Sequence, residues 1–262
     1  MTRGLGAGVL RAHLALVLVF LYLPIAVMIL MAFNRSALYE LPFTFDLVWF
    51  KALAGNQKLL TASFNSVWIA LANAILATTL GTLAALAFAR YEFRGKRPLQ
   101  LLLFPPITIP WLIIGTSMLV FFFWTGIGRG LHAILLGHVA LSIPYVIVVV
   151  GARLQGSGPV LEEAAASLGA TPVQTFLKVT LPVMAPGVMA AFLFAFAVSF
   201  DQFVISYFLA PPGTSTLPVE IYTSIRKGFT PEINAVSTII ILVSMGLMLL
   251  VARHYRFGST KP

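Results

Sequence analysis

Three residues could be read as a hydrolytic constellation. His138 and Ser142 stand four positions apart in one apolar run, and Asp201 lies in another. A Ser-His-Asp triad needs an imidazole that takes the serine proton and a carboxylate that orients the ring. One helical turn seldom gives a hydroxyl that angle, and no nucleophile motif surrounds Ser142. A hydrogen-bonded structural histidine is the expected role. The four histidines are scattered without HxxxH-type spacing, so no metal site is expected. Cysteine is absent, which removes disulfides, thiolate metal ligands and cysteine nucleophiles. No GxxxxGK[ST] phosphate loop occurs either, since Gly95-Lys96-Arg97 lacks the upstream glycine and the hydroxyl. The chain is therefore expected to be no enzyme, with no catalytic residue and no cofactor of its own.

One charge remains to be explained. Asp201 is the only acid inside any apolar run. A carboxylate at mid-membrane costs about 2.5–3.5 kcal/mol on insertion scales, so such residues face a partner or a water-filled path. It lies about 25 Å along a helix rising about 1.5 Å per residue. Two readings stand: a wall of a solute pathway attracting a cation, or an acid capping a break in its helix. Phe200, Gln202 and Tyr207 are its aromatic and polar neighbours. A cation over a desolvated ring gains up to about 2 kcal/mol. Asn65 and Asn73 are expected to cap helices or bond between them.

The elements that hold these residues follow from composition. The chain has 262 residues, 59% hydrophobic and 10% charged, with mean hydropathy +0.96. Soluble domains carry about 25% charged residues, so this chain belongs in a membrane. Its net charge of +9 comes from short Lys/Arg clusters between apolar runs, which flank membrane spans and exclude a nucleic-acid partner. A span needs about 20 apolar residues. Six stretches qualify, near 14–33, 63–89, 99–124, 131–151, 184–209 and 233–252. The first lacks a short apolar core with a small-residue cleavage site, so it is expected to be retained. With the N-terminus inside, eleven of the seventeen Lys and Arg face the cytosol, among them the cluster RYEFRGKR at 90–97 and Lys261. The expected fold is an all-α integral membrane protein of six transmembrane helices, both termini inside. Ala70, Ala74, Ala77, Gly81, Ala85 and Ala89 form a small-residue stripe suited to close packing within one bundle. Outside segments at 34–62 and 210–232 carry turn signals and a short helix near 218–227.

Between the fourth and fifth stretches the chain turns polar, as LEEAAASLGATPVQTFLKVTLP at 161–182. Pro159 suits a first helical turn, Glu162 and Glu163 favour helix, and Leu161, Ala164, Ala165 and Leu168 share one side. Gly169 supplies the left-handed stop. Thr171, Pro172 and Gln174 fit a capping box with proline at N1, opening a second helix that Pro182 closes. Helices shorter than about 12 residues are marginal alone and need a surface to dock on. Interfacial helices usually carry many Lys and Arg, whereas this one leads with two glutamates; a protein partner is the better expectation.

Glu163-Ala164-Ala165, Gly169, then Val179, Leu181 and Pro182 resemble the EAA loop of ABC-importer permeases: EAA, three residues, Gly, nine residues, Ile-x-Leu-Pro. Val179 for isoleucine is the one departure. The resemblance spans essentially the whole chain, as a single permease domain at 1–262. It implies that the loop at 160–182 is a coupling helix seated in a cleft of an ATPase subunit, through Glu162, Glu163, Ala164, Ala165, Gly169, Leu181 and Pro182. It further implies two ATPase subunits binding ATP and Mg, a second permease chain, an external solute-binding protein and surrounding membrane lipid, in a bacterial inner membrane. The segment at 199–238 resembles spermidine/putrescine-type permeases, with Asp201 matched and Gln202 where those relatives often carry a second acid. Polyamine is thus an analogy for the solute, with Asp201, Gln202, Phe200 and Tyr207 as pathway candidates. The alternative is an ion-coupled secondary transporter using Asp201 and His138.

Overall fold

The computed structural model describes residues 2–37, 40–157, 160–228 and 230–256. Pro159 and Lys261 lie outside them. Among the described residues the chain is helical, with one isolated bridge between Asn34 and Phe45. In chain order the helices are α1 (Thr2–Ala32), α2 (Val48–Gly55), α3 (Gln57–Arg90), α4 (Lys96–Leu103), α5 (Pro105–Thr108), α6 (Trp111–Trp124) and α7 (Leu131–Ser157). There follow α8 (Val160–Ser167), α9 (Pro172–Thr175) with a π-turn at Phe176–Thr180, α10 (Leu181–Phe200), α11 (Phe203–Leu209), α12 (Leu217–Lys227) and α13 (Glu232–Arg256).

Two compact units divide the chain: Met1–Leu60 with Ile221–Pro262, and Thr61–Glu220. In the first, α13 packs on α1 and on α2. Its polar hub is Asn34, fully buried, whose amide donates to the Glu40 carbonyl (3.1 Å) and accepts from the Thr44 N–H (3.1 Å). The Trp49 indole donates to the Asn34 carbonyl at 2.8 Å, pinning α2 beneath this turn.

In the second unit, α7 packs on α10, α11, α5 and α6. Most of the small-residue stripe on α3 is buried, at Ala70, Ala74, Ala77, Gly81 and Ala85, whereas Ala89, near the end of the helix, is exposed. A Cβ on Gly81 would sit 2.6 Å from Val146, so glycine sets the approach of α3 to α7. Several buried polar groups bond between distant parts of the chain, since little else can satisfy them in hydrocarbon. Asn73 donates to Ser142 Oγ (3.0 Å) and to the Ala195 carbonyl (2.9 Å); Asn65 donates to the Ser215 carbonyl (2.9 Å).

Among the described residues four helices are long and apolar enough to cross a membrane: 8–32, 57–90, 131–156 and 172–200; a bent pair makes five. The sixth stretch falls in α13, whose described apolar part is Glu232–Gly246. Two expected spans are not continuous. The stretch at 99–124 is broken into Lys96–Thr108 and Trp111–Trp124, bent by 113°. Pro110 lacks an N–H and pushes Ile109 to extended backbone (φ −76°, ψ 134°), which ends the helix there. The stretch at 184–209 also breaks, at Asp201 and Gln202, because the Gln202 side chain starts a new helix, as described below. Nor does Pro182 close a helix. It sits in the first turn of α10, and the Leu181 N–H reaches back to the Phe176 carbonyl, a wider turn that carries the chain past the proline. The helix therefore starts at Pro172, well before residue 184.

Candidate functional site

The segment at 160–182 folds on its local signals. Glu162 and Glu163 occupy the first turn of α8, where carboxylates complement the helix dipole. At its other end, Ala170 N–H donates to the Ala165 carbonyl (3.0 Å) and Gly169 N–H to Ala166 (2.9 Å). That pair is a Schellman ending, and Gly169 carries the left-handed backbone it requires (φ +84°). Thr171 Oγ1 accepts from Gln174 N–H (3.3 Å) while Gln174 Oε1 accepts from Thr171 N–H (2.9 Å), the reciprocal capping box with Pro172 at N1.

The two glutamates part company. Glu162 turns inward: its carboxylate meets Arg90, the last residue of α3, with Nε 3.0 Å from one oxygen and an NH2 group 3.2 Å from the other. Thr180, in the π-turn before α10, donates to the same carboxylate at 3.1 Å. One half-buried acid thus ties α8 to the ends of two long apolar helices. Glu163 is exposed, with no hydrogen-bond partner for its side chain among the described residues. The apolar side expected to be shared faces outward too: Leu161 and Ala164 are exposed, and Leu168 is 90% exposed, with Val173 and Leu177 exposed on the following turns. Ala165 alone of that set is half-buried. Leu181 and Pro182 begin α10. Arg90 and Thr180 were not singled out from sequence; the charge cluster at 90–97 was the available signal for Arg90.

The second set of candidates lies at the break between α10 and α11. Asp201 is exposed and stands at the C-cap of α10, just past Phe200, its N–H bonded to the Ala197 carbonyl (3.1 Å). Gln202 is buried, and its Oε1 accepts from the Val204 N–H (3.1 Å) and from Ile205 (3.5 Å), capping α11. That use of the oxygen leaves Nε2 buried without a partner among the described residues. Phe200 is half-buried and stacks on Phe196 (5.9 Å); Tyr207 is 41% exposed and sits against Phe203 (5.5 Å).

His138 belongs to this break and not to any triad. One ring nitrogen bonds Ser199 Oγ on α10 (2.8 Å), the other bonds Ser206 Oγ on α11 (3.1 Å). It bridges the two half-helices across their gap. Ser142 bonds Asn73 instead. Among the described residues no group of three or more His, Asp or Glu could hold a metal ion.

Residues 77–257 match the family described as the inner membrane component of binding-protein-dependent transport systems. The chain belongs to that family. Relatives of this permease carry named solutes. It is 37% identical to the spermidine/putrescine transport system permease protein PotC of Haemophilus influenzae, over 92% of this chain and 93% of that protein. It is 36% identical to the putrescine transport system permease protein PotI of Escherichia coli K12, over 85% of this chain and 82% of that one. In fold the permease resembles a chain of a bacterial ABC transporter that imports the acidic polysaccharide alginate, with a TM-score of 0.77 at 14% identity, over 97% and 98% of the two chains.

Proposed function

We propose that this permease is one transmembrane subunit of an importer that moves a small cationic, polyamine-like solute into the cytoplasm. In this reading the permease has six spans in a bacterial inner membrane with both termini inside, and the segment at 160–182 faces the cytosol. Two ATPase subunits, which bind ATP and Mg, drive it; a second, different permease chain and an external solute-binding protein complete it. The observation that carries this reading is the outward apolar face of α8 and α9. Leu161 and Leu168 stand exposed beside the exposed Glu163 on α8, a helix too short to be stable without a surface to dock on, and Val173 and Leu177 stand exposed on the first turns of the long helix that follows. The coupling set is Glu162, Glu163, Ala164, Ala165, Gly169, Leu181 and Pro182.

Co-expression with a P-loop ATPase and a binding protein encoded beside it tests the assembly. The tagged permease is expected to bring down the ATPase, and Leu168→Asp or Glu163→Ala to lower recovery about tenfold or more with the permease still in the membrane. A wild-type chain that purifies alone and transports in liposomes under an ion gradient would count for a secondary transporter. The geometry gives that alternative little help, because both ring nitrogens of His138 are engaged by serines and Asp201 is not among its partners.

The solute is argued from Asp201. Its exposed carboxylate stands at the break between two apolar helices without a hydrogen-bond partner among the described residues, as a cation-attracting wall would. Relatives named for spermidine and putrescine support the same class. Asp201→Asn is expected to reduce labelled spermidine uptake at least tenfold at limiting solute, with ATPase recovery unchanged. Uptake equal to wild type would remove Asp201 from the pathway.

A further inference from the structure

Beyond the transport reading, a groove of about 410 Å³ opens between the end of α3, the α4 helix and α7. That volume is in the range of about 300–1,000 Å³ usual for ligand pockets. Its walls are mostly apolar, including Phe88 from α3, Leu103 and Phe104 at the end of α4, and Ile147 and Val148 from α7; its polar wall groups are Gln100 and Gln155. The surroundings define what enters. Helix α4 is eight residues long and begins Lys-Arg-Pro. Its Leu101 and Leu102 are each 73% exposed, and Leu99 is exposed as well. Basic residues at one end and bare leucines along its length suit a short helix to a membrane interface. In the orientation proposed above, on which this inference rests, the groove opens toward acyl chains.

Charge then selects among lipids. Residues 90–97 hold four basic side chains against one acid. Arg90 is bound to Glu162, and Lys96 to Glu92 at 2.6 Å. Arg94 and Arg97 are exposed and have no side-chain partner among the described residues. Arg97 stands one turn before Gln100 and two before Phe104, so the same helical face runs from a guanidinium into the groove. Basic pockets between membrane helices on the cytoplasmic side bind anionic headgroups.

We infer that this groove is a binding site for one anionic phospholipid, with an acyl chain against Phe88, Leu103 and Val148 and the phosphate on Arg94 and Arg97. The Gln100 and Gln155 amides face the glycerol-ester region. Each basic residue near an anionic headgroup is worth about fivefold in affinity.

The test uses the full chain, delipidated in neutral detergent and titrated with phosphatidylglycerol or phosphatidylcholine, with bound lipid counted by native mass spectrometry. Phosphatidylglycerol is expected to bind about 25-fold tighter than phosphatidylcholine. The double variant Arg94→Gln/Arg97→Gln should erase that preference while keeping weak binding of both lipids. Ala152→Trp, which fills the groove from α7, should remove the retained lipid with helical circular dichroism unchanged. Equal affinity for the two lipids in wild type overturns the assignment, as does a preference that survives loss of both arginines. If Ala152→Trp misfolds, the arginine variant still decides. A disulfide formed in native membranes between Ala152→Cys and another protein chain would also overturn it, making the groove a subunit contact.

Discussion

Replacing Gly169 with valine is expected to cut solute uptake at least tenfold while leaving the apolar helices inserted. Nothing lies within 4 Å of a Cβ built on Gly169, so the side chain itself has room. The penalty comes from the backbone. At φ +84° a β-branched residue pays about 1–3 kcal/mol, and relaxing that strain breaks the two bonds that end α8. An eight-residue helix has no reserve of its own to absorb the loss. The exposed Leu168 and the start of α9 would then leave their places on the docking face. Because the cause is conformational, a graded series follows. Gly169→Asn, whose side chain tolerates the left-handed region, should retain most uptake; Gly169→Ala should be intermediate; Gly169→Val should be worst. Measured in vesicles of the assembled transporter, the valine variant should hydrolyse ATP without matching transport. Wild-type uptake in that variant would remove Gly169 from coupling, and equal loss in all three would point to the side chain and not to φ.

What could be read before the structure was what local chemistry decides. The Gly169 stop and the Thr171–Gln174 box depend on residues within five positions of each other, and both stand as their spacing predicts. Long apolar runs are equally local, which is why helices α1, α3 and α7 lie where expected. The failures share a different cause. At Pro110 and Pro182 the prolines were visible, but the outcome was decided by the backbone around each: a 113° bend at one, an uninterrupted helix with a π-turn at the other. At Gln202 a side-chain amide outbid the helix for two backbone N–H groups, and no apolar count registers that. The pairing of Arg90 with Glu162 joins positions 72 apart, and His138 reaches serines 61 and 68 positions away. Only the packed fold brings such groups together.

The Arg90–Glu162 pair leads to the second large effect. Glu162→Ala is expected to lower uptake by about tenfold, with the amount of co-purified ATPase nearly unchanged. The carboxylate holds α8 to the end of α3 through Arg90 and to the π-turn through Thr180, so a displacement of α8 reaches two apolar helices through one side chain. With side chains only 17% and 22% exposed, the pair is shielded enough for its fork geometry to count, and removing one member strands the other charge. Glu163, one residue along, faces out, and its replacement should instead lower ATPase recovery. Adjacent glutamates would then fail in opposite ways: one by losing the motor, the other by idling with the motor attached. The exchange Arg90→Glu/Glu162→Arg separates a lever from a mere fold contact. It restores the attraction but reverses its placement and does not reproduce the Thr180 bond, so partial recovery of uptake above either single variant is expected. If Glu162→Ala sheds the ATPase as fully as Glu163→Ala, and the exchange recovers nothing, the inward glutamate is part of the docking face and the lever does not exist.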